Sequence, residues 1–180
     1  MMFLSGHNGS MRYLTIVRHA KATKAVDGQG DYARPLSPRG ERQCQQLRAW
    51  ATDPLSLGAY GPASFLVSAA TRTTQTFNQA FAETDFVANS VFSELIYNGR
   101  RDVTAEDLLI DLVAIDPVTT SLAVVGHNPT VSELLWLLSG SLPASAREGM
   151  PTGSAYVLAL RDDESVGRRL YELVAEYIPD

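Results

Sequence analysis

Leu14-Thr15-Ile16-Val17 and Leu122-Ala123-Val124-Val125 are short, largely apolar runs rich in β-branched residues, and each runs straight into a histidine. The first is closed by Arg18-His19 and the second by Gly126-His127; a third run, Phe65-Leu66-Val67-Ser68, is soon followed by Arg72. Runs this short and this apolar are strands covered on both faces, as in a parallel sheet. Ligands of open α/β sheets bind beyond the carboxyl ends of the strands. Arg18, His19, Arg72 and His127, far apart in the chain, are therefore expected to converge on one edge of the sheet.

The segments between these runs read as helices. Ser37 caps a helix opened by Pro38, with Cys44, Leu47 and Ala51 at helical spacing and Asp53-Pro54 as its stop. Thr71 to Ala82 carries Phe77, Ala80 and Phe81 on one face. Thr104 and Asp107 form a capping box ahead of Leu108, Leu109, Leu112 and Val113. A helix starts at Pro129 or Thr130, runs through Leu138 and stops at Gly140. Val91-Phe92 reads as a short edge strand. Ser154–Leu160 and Leu170–Ile178 read as a hairpin around the turn-rich residues 162–167. Trp50 and Trp136 fall in helical apolar patterns and are expected in the core. The alternation predicts a single three-layer α/β/α domain around a mixed, mainly parallel sheet, spanning residues 12–180 behind a flexible tail of residues 1–11. His7, in that tail, is expected to be without function.

Composition sets the class. A chain of 180 residues with 45% hydrophobic and 19% charged residues can bury a real core. Its net charge of −5 argues against a nucleic-acid surface. Cys44 is the only cysteine, which is consistent with a reducing compartment and leaves no intrachain disulfide. No apolar stretch is long enough to span a bilayer, and the first ten residues do not read as a signal peptide. The expected location is the cytoplasm, and no cofactor is expected.

Two histidines and two arginines at strand ends can capture and move a phosphoryl group. Guanidinium groups match phosphate oxygens through paired, charge-assisted hydrogen bonds and stabilise the charge in transfer. A neutral imidazole can attack phosphorus and become a phosphohistidine. Nearby arginines keep that imidazole unprotonated. Neither Arg18 nor Arg72 has a local acidic partner in the sequence. His19 and His127 lack Cys or His neighbours at ligand spacing, so a metal site would need Asp27 or Asp31 as additions. The chain contains neither Gly-x-x-x-x-Gly-Lys-Ser/Thr nor Gly-x-Gly-x-x-Gly. The polar segment from Ala20 to Leu36 is long for a connector and borders a strand end, as functional loops do.

Val17-Arg18-His19-Ala20-Lys21 resembles the Arg-His-Gly signature of the histidine phosphatase superfamily, the phosphoglycerate mutase-like proteins. Pro35-Leu36-Ser37-Pro38-Arg39-Gly40, Ser68-Ala69-Ala70-Thr71-Arg72-Thr73-Thr74-Gln75-Thr76 and Val125-Gly126-His127-Asn128-Pro129 resemble three further elements of that family, in the same order. The likeness covers about residues 12–160, and the Gly-His-Asn-Pro form is most similar to the SixA branch, the protein phosphohistidine phosphatases. Ala20 stands where the family signature has Gly.

This resemblance implies a phosphoglycerate mutase-like fold and a metal-independent phosphatase. His19 would be the nucleophile, with Arg18, Arg72 and His127 completing the phosphate pocket. It places a proton donor in the segment after the second arginine, where Glu94 is the candidate; Asn128 cannot supply a proton. The expected substrate is phosphohistidine in a phosphotransfer signalling protein, and the product is inorganic phosphate. Its imidazole leaving group needs less acid assistance than an alkoxide. The alternatives are a small-molecule phosphomonoesterase of the same mechanism and a phosphate-binding module without turnover. A mutase would need longer insertions over the site.

Other polar residues have plainer readings. Arg39 is expected to be solvated. Lys21, Thr152 and Ser154 are within possible reach of the pocket but read more simply as loop residues, as do Tyr97, Arg100 and Arg101.

Overall fold

In the computed structural model, residues 13–28, 30–97, 99, 102–116, 121–163 and 168–180 are described, with the side chains of 161–163 and 168–170 left aside. The expected tail with His7, together with Arg100, Arg101 and the tip of the last hairpin, lies outside these residues.

The described residues form one mixed six-stranded sheet and four α-helices. The strands are β1 (Tyr13–Arg18), β2 (Ala63–Ser68), β3 (Val87–Ser93), β4 (Ser121–Gly126), β5 (Ala155–Asp163) and β6 (Arg168–Tyr177). Their spatial order is β3-β2-β4-β1-β5-β6. β3, β2, β4 and β1 run parallel; β5 is antiparallel to β1, and β6 to β5. The helices are α1 (Pro38–Thr52), α2 (Thr71–Ala80), α3 (Ala105–Ala114) and α4 (Thr130–Ser139).

Side-chain alternation along the central strands makes the three layers. Val17, Phe65, Val67, Ala123 and Val125 face Cys44, Leu47 and Ala51 of α1 and Phe77 and Ala80 of α2. Their neighbours Leu14, Ile16, Leu66, Leu122 and Val124 face Leu108 and Leu112 of α3 and Val131, Leu134 and Leu135 of α4. Every residue of β2 and β4 is buried, as two-sided burial requires. The expected α/β/α sandwich with a mainly parallel sheet is what forms.

The helix starts follow their signals. The Ser37 hydroxyl accepts from Gly40 N, and Thr104 and Asp107 form both bonds of the capping box. Gly140 ends α4 at φ 74°. Some boundaries differ. α2 stops at Ala80 rather than Ala82: Phe81 leaves helical geometry at φ −126° with its ring 5.1 Å from that of Phe65. The edge strand β3 is longer than Val91-Phe92. Trp136 is 57% exposed, not core, because α4 turns Val131, Leu134 and Leu135 inward and Trp136 points away. Trp50 is partly buried and stacks on Tyr177, with ring centroids 5.4 Å apart.

Candidate active site

The C-terminal ends of β1 and β4 lie side by side, which brings their histidines together. His19 N–H donates to Gly126 O at 3.1 Å, and Arg18 N–H donates to Ser154 O at 3.1 Å. Gly153 N–H donates to the His19 carbonyl at 3.1 Å. The Arg18-His19 backbone is thus fixed from both sides.

His19 Nδ1 lies 2.8 Å from the Ala20 carbonyl oxygen. A carbonyl only accepts, so the proton sits on Nδ1 and the lone pair on Nε2. Arg72 Nε–H donates to that Nε2 at 3.3 Å. Burial is the main reason the imidazolium is disfavoured; Arg72, Arg18 and Arg34 add repulsion, while the Ala20 bond works the other way. The result is a pKa lowered to about 3. The arginine effect expected from sequence is present, but it is second to burial.

His127 stands with its ring centroid 5.1 Å from that of His19. Its Nε2 is 2.8 Å from the Ser68 hydroxyl at the end of β2. Its Nδ1 is buried and has no partner among the described residues. With the Ser68 hydroxyl as donor to Nε2, the proton would sit on Nδ1, where a ligand oxygen could accept it. A buried polar nitrogen of this kind can bond a ligand that enters beside it. Burial, then the nearby His19 and Arg72, lowers the His127 pKa to about 2. Arg18 donates through Nη1 to the Met150 carbonyl. Its Nε is also buried without a partner among the described residues.

Arg72 sits in the first turn of α2 and is 5% exposed. It does have an acidic partner, 41 residues away in sequence. Arg72 Nη1 donates to the Asp31 carbonyl at 2.8 Å, and Nη2 to Asp31 Oδ2 at 3.0 Å. Tyr97 O–H donates to the same Oδ2 at 2.6 Å, and Arg34 Nε–H donates to Oδ1 at 2.8 Å. Burial opposes ionisation of Asp31. The Tyr97 bond and the two arginines outweigh it and hold this carboxyl well below the usual carboxylate range.

The 20–36 loop is tied down at both ends. Ala20 N–H donates to Thr76 Oγ1 at 3.0 Å, Lys21 N–H to Gln43 Oε1 at 2.8 Å and Leu36 N–H to Gln75 Oε1 at 2.8 Å. Ser37 N–H and its hydroxyl both donate to the Lys21 carbonyl. Gly40 lies so close that a Cβ there would stand 2.1 Å from the Lys21 oxygen. Gln75, Thr76 and Gly40 of the sequence motifs therefore position the loop.

Arg18, His19, Arg72 and His127 share this pocket. Glu94 lies one residue past β3 and is exposed. Asn128 is occupied structurally: its amide donates to Met150 O at 3.2 Å and its oxygen accepts from Ser132 Oγ at 2.8 Å. Tyr97 is not a solvated loop residue. It is buried, with its ring centroid 5.5 Å from that of His127 and the Arg72 guanidinium 5.7 Å above its ring. Arg39 and Lys21 are exposed; Ser154 is buried and donates to Pro151 O. Among the described residues no group of three or more His, Cys, Asp or Glu side chains could hold a metal, and no helix is long and apolar enough to cross a membrane.

Sequence reading missed Asp31 as a pocket residue and Ser68 as the partner of His127. Asp31's place in a long loop after a catalytic strand end was the available signal. Its pairing with Arg72 is a tertiary contact that no local pattern encodes.

No family model matches the chain. It is 38% identical over 150 residues to an uncharacterized protein of Mycobacterium tuberculosis, found in strains CDC 1551 and H37Rv, covering 79% of this chain and 85% of the relative. Its fold matches that of a protein assigned as a phosphohistidine phosphatase SixA from Agrobacterium tumefaciens, with TM-score 0.76 and 27% identity over 94% of this chain and 99% of the other. It also matches a protein histidine phosphatase SixA complexed with tungstate, with TM-score 0.67 and 22% identity over 91% and 95% of the two chains. The chain belongs to the histidine phosphatase superfamily, the phosphoglycerate mutase-like phosphatases with a histidine nucleophile, and within it to the SixA-like branch.

Proposed function

We propose that this chain hydrolyses phosphohistidine in a phosphotransfer protein, through a phosphoryl intermediate on Nε2 of His19. The observation that carries the mechanism is the His19 tautomer. Nδ1–H is fixed on the Ala20 carbonyl, which leaves the Nε2 lone pair in the pocket beside Arg72.

The chemistry then follows from the neighbours. Arg18, Arg72 and Nδ1–H of His127 bind the non-bridging oxygens and take up the charge that builds on them. Nε2 attacks phosphorus and the bond to the leaving imidazole breaks. The phosphorylated ring is cationic, and its Nδ1–H stays on Ala20. Water then attacks phosphorus, and the electron pair returns to Nε2. His19 leaves as a neutral imidazole, so the second step needs no acid at this nitrogen. Family position suggests Glu94 as a proton donor. The likeness to the Agrobacterium tumefaciens protein supports the phosphohistidine substrate.

One observation favours the second reading, a small phosphate ester. The 20–36 loop reaches the pocket through Asp31 on Arg72, and His19 is only 9% exposed. A closed loop suits a small ester better than a protein surface.

Phosphate release decides between them. It is measured without added metal from a phosphohistidine-bearing phosphotransfer protein and from p-nitrophenyl phosphate, for wild type and His19→Ala. Faster release from the protein supports the phosphohistidine reading. Faster release from the ester supports the second. Phosphate binding without release from either leaves a binding module.

A further inference from the structure

Asp31 is half exposed, with 52% of its side chain accessible, whereas His19 is only 9% exposed. Arg72 links the two directly: its Nε is on the nucleophilic nitrogen and its Nη2 is on the Asp31 carboxylate. A phosphoryl group bound on Arg72 therefore has His19 on one side and Asp31 beside it toward solvent. In an in-line transfer the leaving group departs opposite the nucleophile, on that solvent side.

We propose that Asp31 is the acid–base residue of this site, donating a proton to the leaving group and taking one back from the attacking water. The proposal rests on His19 as the nucleophile.

The surrounding charges make the switch. In the free protein Asp31 faces Arg34 from its own loop, Arg72 from α2 and the Tyr97 hydroxyl beyond β3, with His19 and His127 behind Arg72. These partners favour the carboxylate. An entering phosphate dianion takes over Arg72 and sets negative charge beside Asp31, which favours the protonated acid. The substrate's own proton, or one from solvent, is then held where it is needed. In the first step the N–P bond forms, the P–leaving-group bond breaks, and the Asp31 proton goes to the leaving atom. In the second, the O–P bond of water forms, the N–P bond breaks, and the water proton returns to Asp31. No metal or further reactant is required.

The leaving group provides the test. Acid assistance matters for an alkoxide and little for p-nitrophenolate. The values of kcat/KM on p-nitrophenyl phosphate and on an alkyl phosphate are compared for wild type, Asp31→Asn and Glu94→Gln. The expected result is that Asp31→Asn raises the ratio of the two by about a hundredfold or more. It also removes the alkaline limb of the wild-type pH profile on the alkyl ester. Three results overturn the proposal. Equal loss of kcat/KM on both substrates with Asp31→Asn marks a structural clamp. A rise on both with tighter binding of inorganic phosphate marks a blocking counter-ion. A change of the ratio with Glu94→Gln instead makes Glu94 the donor. Wild type that releases phosphate from neither ester, nor from a phosphohistidine protein, would overturn the phosphatase reading along with this one.

Discussion

Arg72 Nε–H points at the lone pair of His19 Nε2 from 3.3 Å, so the residue proposed to hold the phosphate also orients the proposed nucleophile. Arg72→Lys keeps the charge but loses both the Nε–H and the planar fork. Removing one such preorganised donor costs about 10²–10³ in kcat. We expect Arg72→Lys to fall in that range on p-nitrophenyl phosphate, with an unchanged far-ultraviolet circular dichroism spectrum. Near-wild-type kcat would show that Arg72 is not in the transition-state pocket.

Ser68 bears on the tautomer of His127. Without its hydroxyl, His127 Nε2 is left unpaired, and the proton is no longer directed to Nδ1. Losing such a buried bond costs about 1–3 kcal/mol, or about tenfold or more in rate. Ser68→Ala should therefore lower kcat by that order. A His127→Gln variant should be insensitive to the further Ser68→Ala change, and a double-mutant cycle on kcat checks this.

Acid should destabilise the fold through the same histidines. Their pKa values in the folded chain, about 3 for His19 and about 2 for His127, lie below the ordinary 6.5. The unfolded chain therefore binds more protons than the folded one below about pH 6.5. The histidine contribution to stability is fully present above that pH and declines as pH falls toward 3. Asp31, depressed by Tyr97, Arg34 and Arg72, acts in the same direction at the acid end. The urea midpoint should fall between pH 7 and pH 4, and by less in His127→Gln. The pH profile of kcat/KM on p-nitrophenyl phosphate should show no acid limb near 6.5 from His19.

Gly40 has a packing role. A methyl group there would press on the Lys21 carbonyl at 2.1 Å, where two Ser37 donors already bind. Overpacking of this kind costs about 1–3 kcal/mol. Gly40→Ala should lower the urea midpoint and weaken activity by moving the 20–36 loop. Unchanged stability would mean that α1 can shift away without loss.

Much of this was legible in the chain. The largely apolar runs ending in Arg18-His19 and Gly126-His127 announce buried parallel strands, because two-sided burial leaves no polar alternation. Ser37-Pro38, the Thr104–Asp107 box and Gly140 marked helix ends through backbone groups that only local residues satisfy. What was not legible depends on long-range contacts. Trp136 sits in an apolar pattern, and only the rotation of α4 against the sheet turns it outward. Tyr97 resembles a loop residue until His127 and Arg72 close around it. Asp31 acquires its importance from an arginine 41 positions away, a pairing that neither periodicity nor a short motif contains.

The phosphoryl group is proposed to pass through Nε2 of His19. The direct measurement uses a phosphohistidine-bearing phosphotransfer protein with a radioactive phosphoryl group, mixed with the chain and quenched in denaturing alkali, where phosphohistidine survives. Transient base-stable, acid-labile label is expected on wild type at His19, and neither label nor phosphate release with His19→Ala. Release by His19→Ala at a rate near that of wild type would contradict it.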